Sequence, residues 1–203
     1  MAVFITFEGG EGSGKTTQAR VLYKRVLQSG IPVILCHEPG GTSLGKKLRR
    51  YLKQTRQTEI SPLAELFLFA ASRAQLVTEV IRPNLGSGAI VICDRYTGST
   101  VAYQGYGRGL DLDVIQTVNT LVTQDIPPDL VILLDIPVEI GLARKGLARS
   151  DRFEREELAF HRRVRRGYLQ MAAADPERWL VVDATLSKRK VERVIWEKVN
   201  SLL

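Results

Sequence analysis

A short stretch near the beginning of the chain constrains the fold more than any other feature. Residues 4–18 read FITFEGGEGSGKTTQ, an apolar, β-branched run that passes directly into a glycine-rich turn. The turn matches the P-loop pattern G-x-x-x-x-G-K-[ST], with Gly9, Gly14, Lys15 and Thr16 at its fixed positions. The sequence therefore predicts a strand, a phosphate-binding loop and a helix in immediate succession.

Each residue type in this loop has a physical purpose. Glycine adopts positive φ without strain, so consecutive amides converge on phosphate oxygens with no Cβ in the way. The following helix adds free N–H groups and roughly half a positive charge, while Lys15 is suited to reach the β- and γ-phosphates and Thr16 to ligate Mg²⁺. A turn that merely joined two elements would need neither the Lys-Thr pair nor this much glycine. We predict that the nucleotide is bound by Gly9, Gly10, Glu11, Gly12, Ser13, Gly14, Lys15, Thr16 and Thr17.

Length and composition favour one globular domain over residues 1–203. Hydrophobic residues make up 44% of the chain and charged residues 25%, which argues against disorder. No apolar run approaches the length of a bilayer span, and the first strand starts so near Met1 that a signal peptide has no room. We therefore expect a cytoplasmic protein without a membrane partner. Cys36 and Cys93 lie near the ends of strand-like runs, so we expect two buried free thiols.

The formal net charge of +7 has more than one interpretation. A basic protein can bind nucleic acid, but a site for two phosphorylated nucleotides also needs cations, and part of the excess is concentrated in residues 144–166. Lysines and arginines dispersed over solvated helix faces are the simplest alternative. Because the sequence contains no recognised nucleic-acid-binding motif, we predict no nucleic-acid partner.

Five short apolar runs have the continuous, β-branched character of parallel strands covered on both faces. They occupy residues 3–7, 33–36, 89–93, 130–134 and 179–182. Segments with helical spacing separate them, at residues 15–28, after Thr42, and at 62–82, 112–123, 138–145, 154–173 and 188–199. This alternation predicts an α/β fold of the P-loop NTPase type, a doubly wound five-stranded parallel sheet with helices on both faces. Ligands of such sheets bind at the carboxyl ends of the strands.

Polar residues follow the second and third predicted strands, where a ligand is expected. Glu38 lies in a turn after the second strand, and its Pro-Gly chemistry fits a plain loop as well as a functional one. Asp94 is suited to hold Mg²⁺ or accept a proton, and Arg95 to grip a phosphate in bidentate fashion. The glycine run at 105–109 indicates a mobile loop or a turn, and it is preceded by Ser99, Tyr103 and Gln104.

The most apolar helix of the chain, predicted from Pro62 onwards, carries an aromatic residue and an arginine on one face. Phe69 and Arg73 are four residues apart, so their side chains share that face. The pair fits a base-binding site. It also fits a core phenylalanine beside an arginine whose charged head reaches solvent, and the residues alone favour that second interpretation.

Two further segments carry cations. The helix after Thr42 contains Arg49 among several basic residues, most of them solvated, although one could lean into a cleft. Residues 144–155 are basic and contain few apolar side chains, so we predict a short lid there, with a solvated charged turn as the alternative. The P-loop favours the lid, because phosphoryl transfer needs cations over the γ-phosphate and the exclusion of water.

Taken together, these motifs resemble the bacterial thymidylate kinases from end to end, within the nucleoside monophosphate kinases of the P-loop class. The resemblance rests on FEGGEGSGKTTQ, EPGGT, LFAASRAQL, DRYTGST, AYQG and DRFE, in this order. Only the P-loop is specific by itself, but the order and spacing of all six are highly specific. The resemblance implies ATP- and Mg²⁺-dependent phosphorylation of dTMP to dTDP in dTTP biosynthesis, by a homodimer.

For the phosphoryl transfer itself, the resemblance implies that Lys15 and Thr16 serve ATP and Mg²⁺, with Asp94 near the metal. The lid arginines, here Arg149 and Arg152, approach the transferring group in this family. Gly12 occupies a position where one branch of the family carries arginine, so this chain looks like the lid-arginine branch. The assignment among Arg144, Arg149 and Arg152 stays open. The predicted catalytic residues are Lys15, Asp94, Arg95, Arg149 and Arg152.

For dTMP, the resemblance implies that Glu11 holds the sugar 3′-hydroxyl and that Arg49 and Arg95 take the phosphate. Tyr103 resembles the residue that crowds the 2′ position. Phe69 and Arg73 resemble the ring that stacks on thymine and the guanidinium that bonds its carbonyl. The predicted dTMP-binding residues are Glu11, Glu38, Arg49, Phe69, Arg73, Arg95, Ser99, Tyr103 and Gln104.

Other functions compete with this interpretation. A regulatory GTPase with a P-loop would carry an N-K-x-D segment for guanine, and the sequence has none. A basic ATPase that depends on nucleic acid would be stimulated by DNA or RNA. A kinase for another nucleotide or nucleoside is the closest alternative, and only an assay with a panel of substrates distinguishes it from a kinase for dTMP.

Overall fold

The computed structural model of the protein describes residues 2–54, 60–145 and 151–203. Within them, one parallel sheet is formed by β1 Val3–Glu8, β2 Val33–His37, β3 Ile90–Asp94, β4 Leu130–Asp135 and β5 Trp179–Asp183, in the order β2-β3-β1-β4-β5. The predicted five-stranded parallel α/β fold is confirmed. Because β1 is the central strand, the loop that follows it lies between the carboxyl ends of β3 and β4.

Helices alternate with the strands. They are α1 Lys15–Gln28, α2 Ser43–Lys53, α3 Pro62–Leu76, α4 Arg82–Gly86, α5 Thr97–Thr100, α6 Leu112–Thr123, α7 Val138–Lys145, α8 Leu158–Ala174 and α9 Lys188–Asn200. Two π-helical segments, Val77–Ile81 and Val101–Gly107, join α3 to α4 and extend α5. None of the helices in the described ranges is long and apolar enough to cross a membrane.

The sheet divides the core in two, because successive side chains of β1 point to opposite faces. Ile5 and Phe7 are buried with Leu22 in the cluster that α1 and α9 cover. Phe4 is buried on the other face, in the cluster that contains Leu76 of α3. Both faces are therefore covered, which explains why the strands are continuous apolar runs instead of alternating ones.

The helix predicted over residues 62–82 is longer and less regular than expected. Ser61 starts it, since its hydroxyl accepts a hydrogen bond from the Ala64 amide at 3.3 Å. The π-helical segment Val77–Ile81 interrupts it and α4 continues it to Gly86. Pro83 comes shortly after this π-helical segment, and it has no N–H to donate to the backbone hydrogen bonds of the helix.

Two expectations about local structure are wrong. The glycine run is not a loop or turn over its whole length, because its first three residues belong to the π-helical segment Val101–Gly107 and only its end, at Arg108, lies in a turn. Glycine serves close packing there: a Cβ added to Gly107 would lie 2.6 Å from the ring of Phe160. The helix expected from residue 154 begins at Leu158. Asp151 delays it, since its carboxylate accepts hydrogen bonds from the Phe153 and Glu154 amides and holds a turn.

The expected state of the cysteines is confirmed. Cys36 and Cys93 are both free and buried. They face each other in register on β2 and β3, where their small apolar side chains fill the core.

Candidate active site

The loop after β1 has the conformation that phosphate binding requires. Gly9, Gly12 and Gly14 all have positive φ. Gly12 is the most constrained, because a Cβ there would lie 1.9 Å from the Gly141 carbonyl oxygen. Lys15 Nζ donates to the Gly10 carbonyl at 2.6 Å and to Ser13 Oγ at 3.1 Å, so the amine folds back over the loop. The sequence thus produces a backbone cradle closed by a cation.

A cleft of about 550 Å³ opens at the carboxyl ends of the strands. It brings together most of the predicted site residues: Glu11, Gly12, Gly14, Lys15, Thr16, Thr17, Glu38, Arg49, Phe69, Arg73, Asp94, Arg95, Ser99, Tyr103 and Gln104. Gly9, Gly10 and Ser13 belong to the same loop but do not line the cleft. Arg152 does not line it either, and Arg149 lies outside the described residues.

Lys15 is a buried amine whose charge is not fully compensated. Burial and the nearby Arg95 charge lower the pKa of Lys15 to about 7, although Glu11 and Asp94 oppose the shift. A phosphate anion placed in the loop would supply the missing negative charge. The site is therefore electrostatically complementary to a polyphosphate.

Thr16 and Asp94 bring two oxygen ligands to the edge of the cleft. Thr16 Oγ1 donates to Asp94 Oδ2 at 2.5 Å, across 78 residues of sequence. A hydroxyl and a carboxylate are the hard oxygen donors that Mg²⁺ takes alongside phosphate and water. The donor set present thus fits the metal implied by the sequence.

Arg95 organises a polar cluster in the middle of the cleft. Its backbone has φ 74°, a strained conformation for a non-glycine residue, which directs the side chain towards the P-loop. Arg95 Nη2 donates to Glu11 Oε1 at 2.7 Å, and Nη1 to Ser99 Oγ at 3.1 Å and to the Gly9 carbonyl at 3.2 Å. The Tyr103 hydroxyl also donates to Glu11 Oε1, at 2.7 Å.

The charges in this cluster decide the state of Glu11. Burial by itself raises the pKa of Glu11, but the Arg95 and Lys15 charges and the Tyr103 hydrogen bond outweigh it, so the pKa lies below its usual range. Burial, and then the Glu11 charge, raise the pKa of Tyr103 well above its usual value. Glu11 is therefore an anion and Tyr103 a neutral donor at neutral pH.

At the other end of the cleft, Arg73 is buried with Glu38 as a bidentate pair. Arg73 Nε and Nη2 donate to the two Glu38 oxygens at 2.7 Å each, and both side chains are at most 2% exposed. Nη2 also donates to Thr100 Oγ1 and Nη1 to Asn119 Oδ1, each at 2.5 Å. Burial lowers the pKa of Arg73, yet the Glu38 carboxylate raises it by more. The interpretation of Arg73 as a surface-reaching residue is therefore wrong.

Glu8 is a site residue that the sequence analysis missed. This fully buried carboxylate accepts hydrogen bonds from the Tyr96 amide at 2.9 Å and from the Ser99 hydroxyl at 2.6 Å. It thereby fixes Ser99, which in turn contacts Arg95. Burial raises the pKa of Glu8. A signal existed, since an acid directly after a buried apolar run requires a partner.

Two arginines of the predicted lid, Arg144 and Arg152, differ in whether they reach the cleft. Arg144 lines the cleft and donates to the Ala184 carbonyl at 2.9 Å. Arg152 instead binds Glu65 and donates to the Leu52 carbonyl at 3.2 Å. Its guanidinium lies 4.6 Å from the centre of the Phe153 ring. A buried carboxylate thus holds Arg152 away from the cleft, and its phosphoryl-contacting role stays a prediction.

Comparison with known proteins agrees with this geometry. A model of the thymidylate kinase family matches residues 7–195. A thymidylate kinase of Dehalococcoides mccartyi strain 195 is 53% identical over 100% of this chain and 98% of its own length. A thymidylate kinase of Geobacter sp. strain M21 is 52% identical over 100% of this chain and 95% of its own length. The crystal structure of thymidylate kinase from Ehrlichia chaffeensis matches with a TM-score of 0.78 and 34% identity, over 100% and 99% of the two chains.

The chain belongs to the thymidylate kinase family. Membership agrees with the fold, because the E. chaffeensis structure covers the whole chain. It also decides between the classes of protein that a P-loop allows, and it sets aside the regulatory GTPase and the nucleic-acid-dependent ATPase. Which nucleotide this thymidylate kinase family member phosphorylates depends on the cleft.

Proposed function

We propose that the protein transfers the γ-phosphoryl group of ATP to the 5′-phosphate of dTMP, giving ADP and dTDP. One observation carries the proposal: a single cleft has a polyphosphate cradle at one end and, at the other, Phe69 with the buried Arg73–Glu38 pair. Such a cleft suits a second nucleotide that is read by its base. The Arg95–Glu11–Tyr103 cluster lies in the same cleft, where a sugar and a phosphate would meet the cradle.

In this proposal the chain's own residues position the reactants and stabilise charge. The dTMP phosphate oxygen attacks the γ-phosphorus, the bond from that phosphorus to the ADP oxygen breaks, and no covalent enzyme intermediate forms. Lys15 and the loop amides bind the β- and γ-phosphates, and Arg49 and Arg95 hold the acceptor phosphate. Arg49 is already near the cleft floor, since its Nη1 donates to the Pro39 carbonyl at 2.8 Å. Glu11 is placed for a sugar hydroxyl.

Mg²⁺ would be held by Thr16 and Asp94. When bound, it would supply positive charge that offsets the negative charge of the phosphates during transfer. The Thr16 hydroxyl and the Asp94 carboxylate lie together at the N-terminus of α1, as such a role requires.

The base preference follows from donor chemistry. Arginine only donates hydrogen bonds, so Arg73 suits the carbonyl oxygen of thymine or uracil and not the amino group of cytosine. Phe69 lies on the same face of α3, one turn earlier, with its ring 5.8 Å from the Phe153 ring. We therefore propose that thymine stacks on Phe69 while Arg73 reads its edge.

The test is a substrate panel with ATP and Mg²⁺ and, in turn, dTMP, dUMP, dCMP, UMP and thymidine. We expect dTMP to have the highest kcat/KM and dCMP and thymidine to be poor substrates. A Lys15→Ala variant, assayed in parallel, should lose turnover while keeping its melting temperature within a few degrees. Preferred use of a nucleoside or of dCMP would contradict the proposal.

We also propose a homodimer, formed through the outer faces of α3 and α6. Phe67 and Leu63 on α3 are 55% and 48% exposed, and Leu121 and Val114 on α6 are 77% and 46% exposed. These neighbouring helices expose large apolar side chains, which is typical of an interface. The single domain over residues 1–203, the lid at 144–155 and a cytoplasmic location stay predictions.

A further inference from the structure

Glu65 is a fully buried carboxylate to which the proposed function assigns no role. It lies on α3, four residues before Phe69 and eight before Arg73, so all three side chains share one face of the helix. Its own side chain is 0% exposed. A buried carboxylate on the face that forms the base end of the cleft requires a physical explanation.

The hydrogen bonds of Glu65 come from three side chains. Gln104 Nε2 donates to Oε1 at 2.8 Å, and Arg108 donates to the two oxygens at 3.2 and 3.3 Å. Arg152 Nη2 donates to Oε2 as well. The two guanidinium groups balance the charge, so the contact with the neutral Gln104 amide is not needed for that purpose.

The structure places Gln104 between the groups that are proposed to read the base. The segment Val101–Gly107 runs antiparallel to α3, because Arg73 contacts Thr100 while Glu65 contacts Gln104. Gln104 therefore lies beside the turn of α3 that carries Phe69, and it lines the cleft although it is only 1% exposed. Whichever polar atom of its amide faces the cleft is within the base-binding region.

The carboxylate decides which atom that is. An ionised carboxylate accepts hydrogen bonds and donates none, so it tolerates the amide nitrogen of Gln104 beside it and repels the amide oxygen. We propose that Glu65 is a positioning residue for base selection, which fixes the Gln104 amide so that its oxygen accepts the N3–H of thymine. This inference rests on the proposed function.

The arrangement would recognise two adjacent groups of the base, one that accepts a hydrogen bond and one that donates a hydrogen bond. Arg73 donates to the carbonyl oxygen, and the Gln104 oxygen accepts from the neighbouring N3–H. Cytosine carries an amino group and an unprotonated N3 at these positions, so both contacts turn repulsive. A glutamine with a freely turning amide could present its nitrogen to cytosine and would lose half of this selection.

The experiment compares kcat and KM for dTMP and dCMP in wild type, Glu65→Gln, Gln104→Ala and the double variant. Glu65→Gln keeps the volume but accepts either orientation of the Gln104 amide. We expect the dTMP to dCMP ratio of kcat/KM to fall about 10-fold or more, mostly through KM for dTMP. Gln104→Ala should lower the ratio similarly, and adding Glu65→Gln to it should lower the ratio no further.

Two further variants separate positioning from a merely structural role. Glu156→Gln removes the other carboxylate that binds Arg108, at 2.6 Å, without touching Gln104, so the ratio should not change. Glu65→Asp keeps an acceptor-only group and should retain more of the ratio than Glu65→Gln, even where its melting temperature is lower.

An unchanged ratio in Glu65→Gln, or a further fall when it is combined with Gln104→Ala, would overturn the inference while wild type still phosphorylates dTMP. A fall in Glu65→Asp as large as that in Glu65→Gln would also overturn it. Absence of dTMP turnover in wild type would instead overturn the proposed function, and this inference with it.

Discussion

At the scale of single residues, the proposed base end of the cleft depends on how completely Arg73 is held. Its Nε and both Nη2 hydrogens face Glu38, Thr100 and the Tyr96 carbonyl, and one Nη1 hydrogen faces Asn119. Of its five N–H groups, one on Nη1 is left for a ligand. A guanidinium fixed in this way presents its remaining donor in one direction only, which is what selection between carbonyl and amino groups requires.

Arg73→Lys should therefore lower the dTMP to dCMP ratio of kcat/KM by about 10-fold or more, although the positive charge remains. An ammonium group cannot make the bidentate pair with Glu38, so its position is no longer fixed. We also expect the free energy of unfolding to fall by about 3 kcal/mol, because part of a buried ion-pair network loses its partners. The measurements are steady-state kinetics with both nucleotides and urea denaturation.

As a control, Arg193→Lys alters an arginine whose ion pair with Glu197 is exposed, and it should leave both quantities unchanged. An unaltered substrate ratio in Arg73→Lys, with the protein folded, would contradict base reading by this residue.

Tyr103 is the second residue with a testable role in selection. Its hydroxyl is held by Glu11, and its ring packs at 6.1 Å from the rings of Phe153 and Phe160. A ring fixed on this side of the cleft would crowd a ribose 2′-hydroxyl. We expect wild type to prefer dUMP over UMP, Tyr103→Ala to lower that preference about 10-fold, and Tyr103→Phe to keep most of it. The measurement is kcat/KM for the two nucleotides, and equal use of both by wild type would refute the idea.

At the scale of elements, the P-loop packs against α7 through a close contact between backbone atoms. Gly12 approaches Gly141 so closely that neither residue tolerates a side chain, since a Cβ on Gly141 would also lie 2.3 Å from the Glu11 carbonyl oxygen. Packing against α7 therefore fixes the conformation of the P-loop, in addition to the loop's own glycines.

Gly12→Ala should lower the free energy of unfolding by about 2–4 kcal/mol, because the new Cβ meets the Gly141 carbonyl and φ is 68°. Gly10→Ala is the matched control in the same loop, since a Cβ there meets nothing within 4 Å. Thermal melts of the free proteins measure the difference. Similar melting temperatures for the two variants would mean that the loop shifts easily.

The predicted lid is the segment whose proposed role depends most on movement. Arg152 is bound to Glu65 in this structure, so a role at the γ-phosphate requires it to leave that carboxylate. We expect Arg152→Ala or Arg149→Ala to lower kcat about 10²-fold or more with a smaller change in ATP affinity, as for a contact made chiefly in the transition state. Arg162→Ala is the control, since this arginine pairs with Glu139 on the surface. Near-normal kcat in both lid variants would mean that another group supplies the charge.

At the scale of the whole molecule, the two faces of the sheet differ in what their helices expose. The layer of α3 and α6 presents the apolar face described above, while the inner side of α3 lines the proposed base end of the cleft. Dimerisation through this face would bury Phe67 and Leu121 and would support α3 from behind. The proposed dimer would thus stabilise the helix that carries Phe69 and Arg73.

Leu121→Glu should convert the protein to a monomer, because a charge would be buried in the proposed interface. Leu27→Glu is the matched control, since Leu27 is 52% exposed on α1, in the other layer. Light scattering after size-exclusion chromatography measures the mass of each variant. A wild type that is already monomeric at micromolar concentration would refute the dimer.

The sequence by itself determined the features whose causes are local. The P-loop could be predicted because glycines, Lys15 and Thr16 act within one turn, and α1 has the predicted bounds. Each strand was recognised from a continuous apolar run, but all five predicted strands ended one residue too early, where a polar residue such as Asp94 closes the strand. Strand pairing supplies the hydrogen bonds that extend each strand over that residue.

The tertiary structure alone decided which polar groups meet. Arg73 and Glu38 are 35 residues apart in sequence, and Glu8 and the Tyr96 amide 88. Nothing in the periodicity around Arg73 indicated burial, because an arginine on an apolar helix is stable inside only when a carboxylate from another element reaches it. Glu65 and Arg152 met for the same reason, across 87 residues. Periodicity reports which face of an element is apolar, whereas the partner of a buried charge depends on how the whole chain folds.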